Sequence, residues 1–493
     1  MSVFEMNRSS VFSRLLFNCY VIPFVVGFYL VMSYLWPLPD LIPVGGDPYS
    51  IWQTIVSFRE EKVISSYVLY KGFLSVYPYV FFRKLSILYG LDPFLFIKIY
   101  HATLFSFVSA VGIPSLVSRA LNININIYKN LFFVCLLFFL VKFTHVFDML
   151  MVDLPTWAFF VGAIFFSTQP LSSKFWVRVV MSLVSGLLVG LALCSSGQYV
   201  LAGFFLIVYV VVKIVKESFF SDSFSKKNYL YLFAFFVIGI SVPKAYDLHF
   251  HSTVVQPMRD RGEWIPTGQQ WLTNGMTRLM ASYKNTYPQD SNRGLAVLKR
   301  TEGDGFTERF ERIKKGGGEY SVAEYLNIVK NNFFDFGVMW ATKAFLAVSF
   351  DGGEARVSSL LISYTSLFVC LCLLRWRIVR VCDAIRPYGL VFLSVVATVV
   401  APIFLFVEMR YMVSLYGFII GFAVHQEDVQ RRIKAFFVRA RGLGAGSKLE
   451  WLKALDMPYL LLAYVLFVIL CFTLYGALLE GSGSDPDKIL YRW

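Results

Sequence analysis

The chain is poor in charged residues. Asp, Glu, Lys and Arg make up 16% of its 493 residues, whereas 57% of the residues are hydrophobic, and the mean hydropathy is +0.60. The apolar residues come in runs of about 20, the length that a helix needs to cross a bilayer core of about 30 Å. This composition excludes an ordinary soluble protein and predicts an all-α polytopic membrane protein.

Cysteine is also scarce. The seven cysteines lie mostly in or beside apolar runs, without the spacing of a metal site or the loops of a disulfide framework. A cleavable signal peptide is not expected either. The first apolar run, 15–36, is too long for a signal-peptide core and lacks a small-residue cleavage site before Pro37. We therefore predict a retained signal-anchor helix.

About 11 transmembrane helices, within a range of 10 to 13, are predicted from the apolar runs. They lie near 15–36, 95–117, 130–147, 154–168, 178–194, 199–215, 229–246, 358–374, 388–407, 411–425 and 457–478. The apolar run 333–350 contains Asp335 and Lys343 and is predicted to be an amphipathic or half-inserted helix. Gly186 and Gly190 have the spacing that favours close packing of membrane helices.

Lys and Arg are distributed unevenly between the connecting segments. If the N-terminus is cytoplasmic, the predicted cytoplasmic segments together hold 21 Lys and Arg against 8 Asp and Glu. These segments are the N-terminal tail and the loops near 118–129, 168–178, 213–228, 375–387 and 426–456. Short cytoplasmic loops retain basic residues, so the net charge of +14 reflects topology and needs no nucleic-acid partner. A bacterial inner membrane is the expected location.

The predicted organisation has four parts and two large extracytoplasmic segments. An N-terminal transmembrane module, 1–246, contains the first of these segments at 37–94. The second is the loop region 247–357, whose mixed charge indicates a folded surface. C-terminal transmembrane helices occupy 358–478, and 479–493 form a flexible tail that begins rich in Gly and Ser.

Two carboxylates are predicted to face the extracytoplasmic side. Asp47 lies in a Gly/Pro turn just before Tyr49, where it could accept a proton from an incoming hydroxyl or be an ordinary solvated turn residue. Asp153 lies in a short loop, two residues before Pro155. It could cap the following helix and still contribute to a site.

A third pattern is the sequence Glu408-Met409-Arg410-Tyr411 at the junction of two apolar runs. An ionisable residue at the centre of a membrane helix costs roughly 2.5 to 3.5 kcal/mol, so such residues need a reason. The forked guanidinium of Arg410 matches a phosphate, Glu408 could orient it, and Tyr411 adds a donor. The alternative is a snorkelling arginine at a helix end.

The large loop region begins with further candidates. Lys244, at the end of a predicted helix, could meet an anionic headgroup. Arg259, Arg261 and Trp264 suit sugar or phosphate contacts and equally suit an ordinary loop surface.

His249 and His251 would share one side of an extended strand and could form a metal pair with Asp247. Without a fourth ligand, solvated or packed histidines are the favoured interpretation. No metal ligand and no cofactor is therefore assigned, and a divalent metal stays possible.

The order and sidedness of these features resemble the type C integral-membrane glycosyltransferases, which use polyprenyl-phosphate-linked sugars. The resemblance covers most of residues 1–425. It includes the stretch from Tyr67 to Ser118, with Tyr77-Pro78, Phe82-Arg83-Lys84-Leu85 and Tyr89-Gly90. It departs from the family at Met409, where relatives often carry proline.

The resemblance implies inverting transfer of a sugar from a polyprenyl-phosphate-sugar to a lipid-linked glycan, cell-envelope glycan or protein on the outer face of the membrane. It makes Asp47 the general base and Asp153 an auxiliary carboxylate. Arg410, Glu408, Tyr411 and, by position, Lys244 would bind the donor phosphate. Weaker acceptor contacts are assigned to Tyr49, Arg259, Arg261 and Trp264.

Two other classes stay open. A polymerase or ligase of lipid-linked glycans would also have about a dozen spans and a large outer loop with arginines. A flippase or other transporter of lipid-linked saccharides would need charges near mid-membrane, for which Lys142 and His145 are the main candidates.

Overall fold

The protein is described by a computed structural model. It describes residues 3–38, 46–57, 68, 73–142, 146–147, 152–169, 175–220, 226–261, 293–303, 305, 308–309, 312, 320–347, 360–361, 363–365, 367–368, 371, 386–404, 409–425 and 457–480. Within these ranges the chain is 91% helical and contains no strand. The all-α class predicted from the sequence is confirmed.

Seventeen α-helices are formed by the described residues, in the following order. They are α1 Val3–Leu35, α2 Gly46–Ser57, α3 Tyr77–Tyr89, α4 Pro93–Ser106, α5 Ile113–Leu121, α6 Ile127–Lys142, α7 Asp153–Thr168, α8 Phe175–Ser195, α9 Tyr199–Phe220, α10 Lys226–Phe250, α11 Gln256–Asp260, α12 Arg293–Glu302, α13 Val322–Asn331, α14 Phe333–Ala347, α15 Gly389–Phe404, α16 Met409–His425 and α17 Met457–Glu480. Single π-helical turns, Phe107–Gly112 and His251–Val255, join α4 to α5 and α10 to α11.

Five helical segments are long and apolar enough to cross a membrane. They are Asn18–Leu35, Pro93–Leu121, Phe175–Ser195, Tyr199–Lys216 and Asn228–Asp260. Shorter apolar helices lie at Gly389–Val400, Met412–His425 and Leu462–Leu474. These helices support an integral membrane protein, while the figure of about 11 crossings stays a prediction.

The chain divides into two compact units. The first contains Met1–Gly268, Ala384–Ala401 and Val413–Phe418, and the second contains Gln269–Asp383, Pro402–Met412 and Ile419–Trp493. The predicted sites Asp47, Asp153 and Lys244 belong to the first unit.

Helices of the first unit alternate in direction, so their ends form two groups. One group, called here the Asp153 end, contains the end of α1 and the starts of α4 and α7. Lys98 Nζ, in α4, donates to Leu38 O beyond α1 at 2.7 Å. Lys142, the last residue of α6, lies 4.8 Å from the centre of the Tyr34 ring in α1. These contacts bring the ends of α1 and α6 together with the start of α4.

The opposite group, called the Arg178 end, contains the end of α5, the end of α7 and the start of α8. Arg119 Nη1, in α5, donates to Phe165 O in α7 at 3.2 Å. Lys213 Nζ, in α9, donates to Ser167 O in α7 at 2.9 Å. The loops of this end are among those predicted to be cytoplasmic from their charge. Which side of a membrane each end faces stays a prediction.

Close packing between α8 and α10 depends on glycine. A Cβ added to Gly186 would collide with Phe236 O of α10, and one added to Gly190 would lie 2.9 Å from Ile240 O. On α10, a Cβ at Gly239 would meet the backbone of α8. The close packing predicted from the spacing of Gly186 and Gly190 is confirmed, because the backbones touch where side chains are missing.

We expect Gly186→Ala to lower the thermal unfolding midpoint of the detergent-solubilised protein, because α8 and α10 must separate to admit the methyl group. Overpacking of this kind costs about 1 to 3 kcal/mol. Gly197→Ala is the matched control, since a Cβ at Gly197 meets nothing within 4 Å. Equal midpoints for the two variants would contradict the packing argument.

A small helical core forms in the second unit. Val297 and Leu298 of α12 pack with residues of α13 and α14, including Tyr325, Phe336 and Met339. A capping box starts α13: the Ser321 side chain accepts from Glu324 N, and the Glu324 side chain accepts from Ser321 N.

Arg309 contacts three side chains at the edge of this core. Its guanidinium donates to Glu302 at 3.2 Å and to Glu324 at 3.1 Å, and lies 3.9 Å from the centre of the Tyr320 ring. Part of the loop region predicted to have a folded surface is therefore a packed helical structure.

The apolar run predicted to be amphipathic or half-inserted forms α14. Asp335, in its first turn, accepts from Arg300 Nη2 of α12 at 2.8 Å. With 15 residues the helix is about 22 Å long, shorter than a bilayer core of about 30 Å. Lys343 is fully buried in α14, and burial lowers the pKa of its ammonium from 10.5 to about 7.

Burial of Lys343 predicts a stability that increases with pH. Above about pH 7 the folded protein loses the Lys343 proton, while the unfolded chain keeps it up to about pH 10.5. The penalty for burial therefore decreases as pH rises through this window, by at most about 1.4 kcal/mol per pH unit. We expect Lys343→Met to raise the unfolding midpoint most at pH 6.5 and progressively less towards pH 9.

Lys330→Met is the control, because Lys330 is an exposed cation on α13. Its effect on the midpoint should not vary across the same pH range. A gain from Lys343→Met that is independent of pH would show that the ammonium keeps its ordinary pKa.

Candidate functional site

Asp153 is the predicted site residue that the structure describes most fully. It is the first residue of α7 and is only 7% exposed. Its negative charge lies at the positive end of the helix dipole. The predicted capping role is wrong: the N-cap is Val152, which has no side-chain cap bond, and the helix starts at Asp153, one residue earlier than a cap at Asp153 requires.

A hydrogen-bonded pair of α3 and α4 lies near this carboxylate. His101 Nδ1 is 2.9 Å from Phe147 O, and His101 Nε2 is 3.0 Å from Tyr79 Oη. A carbonyl oxygen can only accept, so Nδ1 must carry a proton. In the neutral ring Nε2 is then the acceptor, and Tyr79 donates its hydroxyl proton to it. Both side chains are fully buried.

Electrostatics link Asp153 to the same pair. Burial raises the pKa of Tyr79 well above 10, and Tyr100 and the Asp153 carboxylate raise it further. Asp153 therefore lies close enough to disfavour a negative charge on Tyr79. The tyrosine stays protonated at any physiological pH and can act as a hydrogen-bond donor.

Lys98 adds a buried cation to the Asp153 end. It is 7% exposed and lies three residues before His101, so both project from neighbouring positions on α4. Its ammonium donates to the Leu38 carbonyl, which carries no formal charge. The positive charge is thus held in place by this bond without being neutralised by it.

Trp157 offers another polar group in this region. It lies four residues after Asp153 on the same face of α7 and is 2% exposed. Its indole Nε1 is buried and has no acceptor among the described residues. Nearby, Tyr199 Oη and Ser414 Oγ are 3.0 Å apart, and the Tyr199 ring is 5.1 Å from that of Phe160.

Asp47 is carried by a helix that packs at the same end of the unit. Its backbone lies in the first turn of α2, and its side chain lies outside the described part of the chain. Trp52 of α2 stacks on Phe94 of α4 with ring centroids 4.8 Å apart, and Arg83 of α3 donates to Ile55 O of α2 at 2.7 Å. Tyr49, on the same helix, is 43% exposed.

Lys244 is engaged by a carboxylate. Its ammonium donates to Asp247 Oδ2 at 2.8 Å, one turn further along α10. The Lys244 side chain is 54% exposed and that of Asp247 is 9% exposed. Lys244 can therefore reach a ligand, but Asp247 already offsets much of its charge.

His249 and His251 do not lie on an extended strand, the arrangement that would have placed both imidazoles on one side. This stretch continues α10 to Phe250 and then forms a π-helical turn, because the apolar helical pattern extends past the predicted end at residue 246. His251 Nε2 is 4.0 Å from Asp247 Oδ1, too far for a hydrogen bond. Among the described residues, no group of three potential metal ligands occurs.

The remaining predicted residues are only partly described. Arg410 and Tyr411 lie in the first turn of α16, which begins at Met409, and their side chains lie outside the described part, as does all of Glu408. Within the described residues α15 ends at Phe404 and α16 begins at Met409, so Arg410 and Tyr411 lie at a helix start in the second unit.

Two contacts predicted in the large loop region are described. Arg259 and Arg261 are exposed at the end of α11. Trp264 falls outside the described residues.

Four residues of the Asp153 end were not selected from the sequence: Tyr79, Lys98, His101 and Trp157. For Lys98 and His101 a signal exists, since ionisable residues three apart within an apolar run commonly mark a functional site. For Tyr79 and Trp157 no sequence signal exists, because aromatic residues are frequent throughout the chain.

Comparison of the chain with protein families, curated proteins and solved structures gives no match in any of the three. Its function must therefore be argued from its own residues.

Tyr79→Phe should destabilise the protein by about 1 to 2 kcal/mol, because it removes the hydroxyl that donates to His101 in a buried site. The measurement is the thermal unfolding midpoint in detergent. Tyr89→Phe is the control, because Tyr89 lies on the same helix and is 66% exposed. Equal midpoints for both variants would show that the buried pair adds nothing to stability.

Proposed function

We propose that the protein is an integral-membrane glycosyltransferase that uses a polyprenyl-phosphate-linked sugar. The observation that carries the proposal is the buried Asp153 carboxylate beside the Tyr79 and His101 pair, with the buried cation Lys98 at the same end of the unit. Ionisable groups within apolar helices cost free energy. The Asp153 carboxylate and the Lys98 ammonium suit an acceptor that carries a hydroxyl and a donor that carries a phosphate.

The reaction requires a base and a means to stabilise a departing phosphate. The acceptor hydroxyl oxygen attacks the anomeric carbon, its proton passes to a carboxylate, and the bond from the anomeric carbon to the phosphate oxygen breaks with inversion. Polyprenyl phosphate leaves as an anion, so it needs no proton from a general acid. Cations directed at this phosphate stabilise the charge that develops in the transition state.

Within this scheme Asp47 is the base. Its helix, α2, packs on α4 through Trp52 and Phe94, and α4 carries Lys98 and His101. Asp153 orients the acceptor hydroxyl, because a buried carboxylate accepts hydrogen bonds from a sugar. The indole of Trp157 is a further donor nearby, whereas the single hydroxyl proton of Tyr79 is already donated to His101.

The donor phosphate is assigned to the cations. Arg410, assisted by Glu408 and Tyr411, is the predicted ligand, and Lys244 is a second. Within the first unit Lys98 is a further candidate, because it is buried and its ammonium donates to a neutral carbonyl.

Exposed side chains are assigned to the acceptor. The exposed positions Tyr49, Arg259 and Arg261 are candidates for acceptor contacts, together with Trp264. The proposed acceptor is a lipid-linked glycan, a cell-envelope glycan or a protein, reached from the extracytoplasmic side of a bacterial inner membrane.

A transporter of lipid-linked saccharides is the second candidate, favoured by one observation. His101 lies eight residues after the start of the Pro93–Leu121 segment, about 12 Å along the helix and well inside it. Ionisable groups at this depth also occur along transport pathways. A transporter would move the lipid-linked sugar without cleaving its bond to phosphate.

The test is a transfer assay with purified protein, a radiolabelled polyprenyl-phosphate-sugar and a lipid-linked acceptor. Labelled product is expected from the wild type. Asp47→Asn should lower the rate by about 100-fold or more, because general base catalysis contributes roughly 10² to 10⁴. Unfolding midpoints are compared in parallel so that a loss of folding is recognised.

Asp92→Asn is the matched control at the same end of the unit. Asp92 caps α4 by accepting from Phe94 N at 3.0 Å, and asparagine keeps that bond while removing the charge. This variant should transfer as the wild type does. Full activity of Asp47→Asn would remove Asp47 from the role of base, and movement of intact donor across vesicles without product would favour the transporter.

A further inference from the structure

A cavity of about 40 Å³ lies at the Arg178 end of the first unit, opposite the proposed transfer site. It is bounded by α7, α8, α9 and α10. Its polar lining includes Ser167, Gln169, Arg178, Ser182, Ser185 and Lys213. One buried water requires about 10 to 15 Å³ of cavity volume. The cavity therefore has room for about three waters, comparable to one phosphate group.

Two cations face this cavity. Arg178, in the first turn of α8, is 7% exposed. The ammonium of Lys213 donates to Ser167 O at 2.9 Å and to Gln169 O at 2.8 Å. These carbonyls lie at the negative end of the α7 dipole, which helps to hold the ammonium in place. Among the described residues that line the cavity, none is Asp or Glu.

Hydroxyl groups complete the polar lining. Ser167 Oγ and Ser185 Oγ are 2.6 Å apart, and Ser182 lies one turn before Ser185 on α8. A guanidinium, an ammonium and hydroxyls are the groups that bind phosphate oxygens in proteins. The chemistry of the lining therefore suits an anion, and in particular a phosphate.

The surface around the cavity has the character of a membrane interface. Trp176, two residues before Arg178, is 72% exposed, and Tyr231, beside Leu232 on α10, is 53% exposed. Exposed aromatic residues near helix ends favour the headgroup region. Val212 and Leu230 are also exposed here and would face acyl chains.

We propose that this cavity binds the phosphate of an anionic phospholipid headgroup. The cations hold the phosphate, and the exposed apolar residues accept the acyl chains. Basic pockets between membrane helices bind such headgroups. The site is distinct from the proposed transfer site, because α7 separates the two by 16 residues, or about 24 Å.

The experiment titrates the purified full-length protein in dodecyl maltoside with dioleoyl phosphatidylglycerol and follows the thermal unfolding midpoint. Dioleoyl phosphatidylcholine is the lipid without net charge, and sodium phosphate is the anion without acyl chains. Phosphatidylglycerol is expected to raise the midpoint at lower concentrations than either of the other two. Lys213→Gln should weaken its apparent affinity roughly fivefold, the effect of one cation near a lipid headgroup.

Lys213→Gln is chosen because the glutamine amide can still donate to a carbonyl of α7, which preserves folding. Lys213→Arg retains the charge and should retain the response. Lys216→Gln is the matched control, since Lys216 is an exposed cation further along α9 that does not line the cavity. It should leave the lipid response unchanged.

Three outcomes would overturn the proposal. Equal responses to phosphatidylglycerol and phosphatidylcholine would show that charge is not recognised. Equal losses in Lys213→Gln and Lys216→Gln would indicate general surface charge. A midpoint shift reproduced by sodium phosphate at the same concentration would assign the cavity to a free anion. None of these outcomes bears on sugar transfer at the Asp153 end.

Discussion

The first unit depends on polar side chains that donate to backbone carbonyls of neighbouring helices. Asn130 Nδ2 of α6 donates to Cys19 O of α1 at 2.8 Å and to Ala110 O, in the turn after α4, at 2.9 Å. Lys98 and Lys213 make bonds of the same kind at opposite ends. A carbonyl has two lone pairs, so it can accept such a bond while keeping its helical one. In lipid, where water is absent, these bonds fix which helices are neighbours.

These bonds also determine how far the positive charge of each lysine is offset by its partner. Lys98 is held by a neutral carbonyl, so its bond positions the ammonium and leaves the positive charge available. Lys244, in contrast, is held by the Asp247 carboxylate at 2.8 Å, which offsets its charge. Lys244 is the more exposed of the two, at 54% against 7% for Lys98. The two lysines therefore differ in the charge of the group that accepts their hydrogen bond, a neutral carbonyl for Lys98 and a carboxylate for Lys244.

The hydropathy pattern predicted the positions of most helices, but it did not predict which helices pack against each other. The run predicted at 229–246 became α10, Lys226–Phe250, within a few residues at each end, because a membrane helix is defined locally by its apolar length. The pairing of Tyr79 with His101 could not be predicted, since it depends on how α3 packs on α4. The Asp153 carboxylate was found from its place before a helix, yet its burial beside Tyr79 came only from tertiary packing.

The two ends of the first unit differ in the described groups that accompany their cations. Both contain cations held by carbonyls, which is sufficient to bind an anion. Among the described residues, the Asp153 end also has a buried carboxylate, and an attacking hydroxyl needs a group that can take or orient its proton. The cavity at the Arg178 end lacks such a group among its lining residues. Under the two proposals above, the same arrangement of a cation held by carbonyls would serve substrate binding at the Asp153 end and retention of an anion at the Arg178 end.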